Sequence, residues 1–221
     1  MSPLSCSSAY ITIQQAESTF PDLMAGQSGA NPMPFVFDVL GTAPNNHVAT
    51  FTLTVSGGDL YAGGHFTTAG GASANHAARW DGMSWSGLGA GTNDAVIGMA
   101  MNGADLYVGG QFFEAGTVVT NSIAIWDGAN WSAPNPPPTG LGMNGDEGHV
   151  FALAAAEDDL YAGGMFTTAG ATSTSHIAEW GGASWSPLDT GMDDVVHALA
   201  ISGGGDLYAG GVFTTAGGTS A

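Results

Sequence analysis

Carboxylates are the reactive side chains this chain has in quantity. It carries 19 Asp plus Glu in 221 residues, against a single base, Arg79, no Lys, and one cysteine, Cys6. Acidic residues recur at one place, a turn that precedes a run of small residues. The turn reads Asn93-Asp94, Asp146-Glu147 and Asp193-Asp194, with Asn45-Asn46 in a first copy. Oxygen-rich loops at one end of a repeat protein suit Ca²⁺, which takes six to eight oxygen ligands. Asp94, Asp146, Glu147, Asp193 and Asp194 are therefore the calcium candidates. The same residue types are favoured in solvated turns, where their side chains bond the local backbone. That account needs no ion and ranks first. No other cofactor is expected.

The six histidines do not repeat as a metal site would. Only His76 and His176 occupy equivalent positions, and Ser122 stands there in the middle copy. No spacing suggests a Ser-His-Asp arrangement, so no catalytic residue is assigned. Paired carboxylates for glycoside hydrolysis are available, yet no acidic pair stands out from its repeat background.

Composition excludes more. Formal net charge is −18, yet charged residues are only 9% of the chain, against about 25% in ordinary domains. The acidity comes from missing bases. Nucleic-acid binding needs clustered Lys and Arg, and anionic membranes would repel the chain. Schiff-base chemistry and arginine-fork phosphate recognition lack their residues. One cysteine allows no internal disulfide or cysteine-ligated metal. No apolar stretch approaches a membrane span. Met1–Cys6 lacks a basic segment leading into an apolar one, so no signal peptide is expected in these residues.

Internal repeats position everything else. The triplet Asp-Leu-Tyr begins at Asp59, Asp105, Asp159 and Asp206, spaced 46, 54 and 47 residues apart. Each opens the phrase Leu-Tyr-x-Gly-Gly-x-Phe. A second phrase, Trp80-Asp81-Gly82-Met83-Ser84-Trp85, recurs as Trp126 to Trp131 and Trp180 to Trp185, accounting for all 6 Trp. A small-residue run precedes each triplet, as in Val196 to Ile201. Each unit reads as four short strands, and no segment shows a helical period, so the fold class is all-β. Units of 40–50 residues with four strands predict a β-propeller of four-stranded blades. Paired glycines predict a bulge or a close backbone approach. The Trp and Phe side chains are expected to fill the wedges between blades.

The Leu-Tyr-x-Gly-Gly and Trp-Asp-Gly-x-x-Trp phrases resemble kelch-like propeller repeats. They also resemble the Gly-rich repeats of secreted bacterial surface proteins and the propeller ectodomains of fungal cortical marker proteins. The resemblance covers about Phe35 to Ala221. It implies a propeller and, because such folds serve many ends, no particular activity. The Trp-Asp-Gly turn is also similar to the sialidase Asp-box, but Asp81 and Asp127 sit one residue closer to Trp and Gly181 replaces the third Asp. Sialidases need several arginines, and kelch-type copper-radical oxidases need a propeller cysteine, whereas Cys6 lies outside the repeats.

The expected organisation is an N-terminal arm at 1–34 and repeats at 35–221. Units fall near 48–88, 95–141 and 150–188, with a partial unit at 195–221. Tyr10–Ile13 and Phe35–Gly41 could supply the strands the partial unit lacks, making one of about four blades composite, within a molecule or between molecules. An unguarded strand edge is otherwise an aggregation template. A larger propeller cut inside a repeat is the third possibility. The sequence is thus expected to encode an extracellular or surface-displayed, non-enzymatic protein for structure, adhesion or self-assembly. It would form a ring or filament through unpaired terminal strands. A glycan-binding propeller lectin is the alternative, and a hydrolase or lyase with an acidic site ranks third.

Overall fold

A computed structural model describes residues 11–13, 37–39, 51–56, 59–134, 142–144, 148–156 and 159–221, the first three segments as backbone only. Among the described residues there is no helix, and the fold is all-β, built of small antiparallel sheets. A ribbon of β1 (Ile11–Ile13) and β2 (Phe37–Val39) comes first. The first unit holds β3 (Phe51–Ser56), β4 (Asp59–Gly64), β5 (Thr68–Ala69), β6 (Ala72–Ser73), β7 (Ala77–Trp80) and β8 (Trp85–Gly87). The second holds β9 (Val96–Asn102), β10 (Asp105–Gly110), β11 (Glu114–Ala115), β12 (Val118–Val119), β13 (Ile123–Trp126) and β14 (Trp131–Ser132). A short β15 (Met143–Asn144) leads to the third, with β16 (His149–Ala156), β17 (Asp159–Met165), β18 (Thr168–Ala169), β19 (Thr172–Ser173), β20 (Ile177–Trp180) and β21 (Trp185–Pro187). The fourth has β22 (Val196–Ile201), β23 (Leu207–Gly211), β24 (Thr215–Ala216) and β25 (Thr219–Ser220).

Three sheets share one order: β3-β4-β7-β8, β9-β10-β13-β14 and β16-β17-β20-β21. The fourth has only β22-β23. In each complete sheet the third strand ends at the first Trp of the repeat and the fourth begins at the second, and these Trp residues pair across the hairpin. Their rings lie 5.7, 5.1 and 5.3 Å apart, tilted by 47°, 54° and 49°, within the range of favourable aromatic pairs. The turn is closed by its Asp. Asp81 Oδ1 accepts from the Met83 and Ser84 amides at 2.8 Å, and Asp127 Oδ1 from Ala129 and Asn130 at 2.8 and 2.6 Å. These contacts hold both carboxyls below their ordinary pKa.

The four-strand reading of the unit omits a ribbon. Between the second and third strands each unit inserts a miniature hairpin, β5-β6, β11-β12, β18-β19 or β24-β25. In the first the two turn residues are Gly70 and Gly71 at φ 54° and 84°, the positive angles of a two-residue hairpin turn. The repeated threonines, Thr67-Thr68, Thr167-Thr168 and Thr214-Thr215, run into these ribbons. Two-residue strands carry too little alternation to show as a period.

The cores lie between sheets. One joins Leu88 and Ala77 of the first unit to Val96, Leu106, Val108 and Trp126 of the second. The next joins Tyr107 and Ile123 to Leu153, Leu160, Phe166 and Trp180. Polar links cross the same seams. The Trp131 indole donates to the Leu88 carbonyl at 2.8 Å, and the Trp180 side chain hydrogen-bonds Tyr107. Trp131 and Trp180 therefore do both jobs: each pairs within its own hairpin and makes a polar link to the preceding sheet.

The paired glycines divide the two tasks expected of them. In the three complete units a Cβ on the first of the pair would strike the next sheet: at Gly63 it would lie 2.5 Å from Val96 Cγ1, at Gly163 2.6 Å from Val196 Cγ1, and at Gly109 against Val150. A Cβ on the second, at Gly110, Gly164 or Gly211, would strike the backbone of its own first strand. There the pairing of β9, β16 and β22 shifts register by a bulge. Gly163→Ala should thus destabilise the chain by about 1–3 kcal/mol, because the stiff Val196 cannot swing aside. Denaturant unfolding checks this. A strand glycine without such a neighbour gains about 0.5–1 kcal/mol from alanine, so a stabilised variant would refute the contact.

Candidate functional site

The acidic turns sit where each sheet hands over to the next. Their oxygens bond to the chain itself. Asp193 Oδ1 accepts from the Thr214 and Thr215 amides, both at 2.8 Å, and Oδ2 accepts from the Thr214 hydroxyl at 2.7 Å. Asn93 Oδ1 does the same for the Phe113 and Glu114 amides at 3.0 Å. Asp94 and Asp194 each accept from the following amide at 2.7 Å. Among the described residues no three His, Cys, Asp or Glu side chains gather as metal ligands. Asp146, Glu147, Asn45 and Asn46 lie outside the described residues.

Strand register changes which residue of the middle unit is equivalent. Met143 pairs with Ala169 as Met192 bridges Ala216 and Thr92 bridges Ala115. Asn144, one residue further on, is therefore the counterpart of Asn93 and Asp193, rather than Asp146 or Glu147. The local phrase Gly-x-Asx, in Gly91-Thr92-Asn93, Gly142-Met143-Asn144 and Gly191-Met192-Asp193, is the signal that aligns them. At this position the cap is the amide oxygen of Asn93 in one unit and the carboxylate of Asp193 in another. An amide oxygen caps backbone amides as a carboxylate does, so the recurrence follows a capping task.

The other candidates are likewise engaged in structure. His76 and His176 start the third strand at φ 64° and 61°, with Ser122 at 70°. Each uses its backbone to join two strands: Gly64 N donates to His76 O at 3.1 Å, and His76 N to Phe66 O at 2.8 Å. His76 Nδ1 lies 3.2 Å from the Gly64 carbonyl. Burial lowers its pKa. Arg79 is tied to Asp59 at 2.8 Å. The bulges in β9, β16 and β22 each turn one extra residue out of the ladder. Two of these, Phe151 and His197, stack at 5.3 Å, with His149 edge-on to Phe151 at 6.0 Å. Periodic pattern hides such residues, because a bulge interrupts the alternation.

The fourth sheet is the structural exception. Tyr208 is 60% exposed, whereas its counterpart Tyr107 is 8% exposed and bonded to Trp180. Val212 is also exposed, at 56%. A Cβ on Gly210 would meet nothing, whereas Gly63, Gly109 and Gly163 are each covered by a valine. Ala198 is exposed where Ala152 is buried. Among the described residues no strand pairs with the outer edge of β23, and nothing lies over the Gly210 face.

No family model and no curated protein matches this chain. Among solved structures it is similar to the computationally designed Ika8 protein, at 16% identity and a TM-score of 0.45. The match covers 69% of this chain and 40% of that one.

The Asp193 cap makes stability depend on pH. Its hydrogen bonds lower its pKa from 3.8 to about 2. A depressed carboxyl contributes fully above its unfolded pKa and loses that contribution as pH falls through the folded one. The window is therefore about pH 4 to 2. Asp193→Asn keeps an acceptor oxygen, as Asn93 shows, but removes the titration. Thermal unfolding across that window should fall less steeply for the variant. Equal slopes would show that the cap does not titrate.

Proposed function

We propose that this chain is a non-enzymatic structural module. Its sheets succeed one another as blades of a β-propeller, and it works by self-association through the fourth sheet, as a ring or filament subunit displayed outside the cell. The observation that supports this is the exposed fourth sheet. Its residue types match those of the buried sheets, Leu-Tyr-Ala-Gly-Gly against Leu-Tyr-Val-Gly-Gly, so a packing surface buried in the other sheets is exposed here among the described residues. An uncovered strand edge beside apolar side chains invites another chain. Natural edges are often guarded by lysine, and this chain has none.

The chemistry of the described residues fits the same reading. Asp81, Asp127, Asn93 and Asp193 accept from turn and hairpin amides, and the single Arg is paired. Each copy carries a formal charge of −18, so copies repel at low ionic strength. Salt screens this within about 8 Å at 0.15 M, and association strengthens accordingly.

Light scattering and negative-stain microscopy test the proposal. Particles of several subunits, as closed rings or filaments that grow with salt, are expected. Particles of monomer mass at every salt concentration would overturn it. Gly210→Val should reduce the particle to monomers with an unchanged far-ultraviolet spectrum, since a side chain there meets open space within one chain and would clash only with a neighbour.

A further inference from the structure

We propose that His65 and His76 form an acid-sensitive latch, which loosens the join between the first and second units as pH falls below neutral and leaves the next join intact. This holds whether or not the chain associates with itself. The geometry starts at His76. Its ring is buried, and the centroid lies 5.4 Å from that of the exposed His65, with the planes tilted by 52°. His76 Nδ1 sits 3.2 Å from the Gly64 carbonyl. The residue before it carries the join. Asn75 O accepts from the Thr92 amide at 3.0 Å, and Asn75 Nδ2 donates to the Ala90 carbonyl at 2.9 Å. The same turn is fixed to the second unit. Thr92 bridges Ala115, Gly116 N donates to Gly91 O at 2.7 Å, and Asn93 N donates to Glu114 O at 3.1 Å. A Cβ on Gly91 would strike the Asn75 carbonyl, so the contact has no slack. A shift at His76 therefore passes through Asn75 and the turn to the β11–β12 hairpin.

The repeats isolate the imidazole pair. Gln111 and Ser122 hold the two positions in the second unit, and Met165 and His176 hold them in the third. The backbone bonds are the same throughout. Ser122 N donates to Phe112 O at 2.7 Å and His176 N to Phe166 O at 2.9 Å, as His76 N does to Phe66 O. The next joins are also built alike, with Met143 N donating to Asn121 O at 2.9 Å and Met192 N to Ser175 O at 3.0 Å. The fold at this place is thus made without either ring, and of these three units the first alone pairs two imidazoles.

Charge makes the pair a switch. Among the described residues the titratable groups that face His76 are His65 and, from the turn before β9, Asp94. Burial, the largest effect, and His65 oppose a charge on the His76 ring. The Gly64 carbonyl and Asp94 favour one but are outweighed, so the pKa lies below the ordinary 6.5. A ring held neutral in this way binds its proton more readily once its surroundings open. Its contribution to the join is complete above the unfolded value of about 6.5 and is lost as pH falls through the folded one. Two charged rings at this separation also repel each other.

Amide hydrogen exchange followed by NMR tests the latch between about pH 7 and 5, the range in which histidine charges. Rates are corrected for the intrinsic effect of pH. Protection of the Thr92 and Gly116 amides should fall at least about threefold more than that of their counterparts Met143 and Gly170. In His76→Ser, which installs the residue of the second unit, the two joins should respond alike. His65→Met, which installs the residue of the third unit at an exposed position, should narrow the difference. An equal response of both joins in the unsubstituted chain would overturn the proposal, and so would a difference that survives His76→Ser. If His76→Ser does not fold, His65→Met decides: an undiminished difference there overturns the pairing of the two rings.

Discussion

The described packing depends on one contact, the valine that opens each new sheet set against a glycine of the sheet before it. Val96 meets Gly63, Val150 meets Gly109 and Val196 meets Gly163. A side chain at any of these glycines would separate the sheets and open the cores that join them. The indole links across the same seams, from Trp131 to Leu88 and from Trp180 to Tyr107, need that separation to stay close. Two of the cores are shared between neighbouring sheets, and a smaller one, with Phe66, Ala74 and Ala78, lies within the first unit.

Polar residues have a supporting task. With 9% charged residues, the chain has few ion pairs to use, and its one guanidinium makes a surface bridge that contributes about 0–1 kcal/mol. Asp and Asn side chains instead satisfy turn amides that the short strands leave unpaired. Asp81 and Asp127 close the Trp hairpins, while Asn93 and Asp193 tie the start of each miniature hairpin to the turn before the sheet. The first task tolerates loss: Gly181 stands in the third hairpin, which still forms, with Gly181 N donating to Ser184 O at 3.3 Å. Carboxylates that accept from amides in this way do structural work in the turns where they sit.

How much was legible follows from what each feature leaves in the linear pattern. The repeat phrases located the principal strands of the complete units, because Leu-Tyr and Trp each mark a fixed place in a ladder. The miniature hairpins were not legible, since two residues cannot establish a period. The middle acidic turn was misaligned. Asp146 and Glu147 match by type, but pairing through Met143 and Ala169 puts Asn144 in that place. Phe151 and His197 were unremarkable in sequence, because only the bulge beside each turns it out of the ladder.

The sequence by itself determined the all-β class, the recurrence of the Leu-Tyr and Trp phrases, and the scarcity of bases and cysteine. Each depends on residue type and spacing along the chain, which folding does not change. Only the tertiary structure decided which surfaces are spent and which are free. Tyr107 and Tyr208 are the same residue in the same phrase, yet one is bonded beneath the next sheet and the other faces solvent. Burial is a property of what lies beside a residue in space, and a repeat records its own neighbours identically whether or not a further sheet is there to cover them.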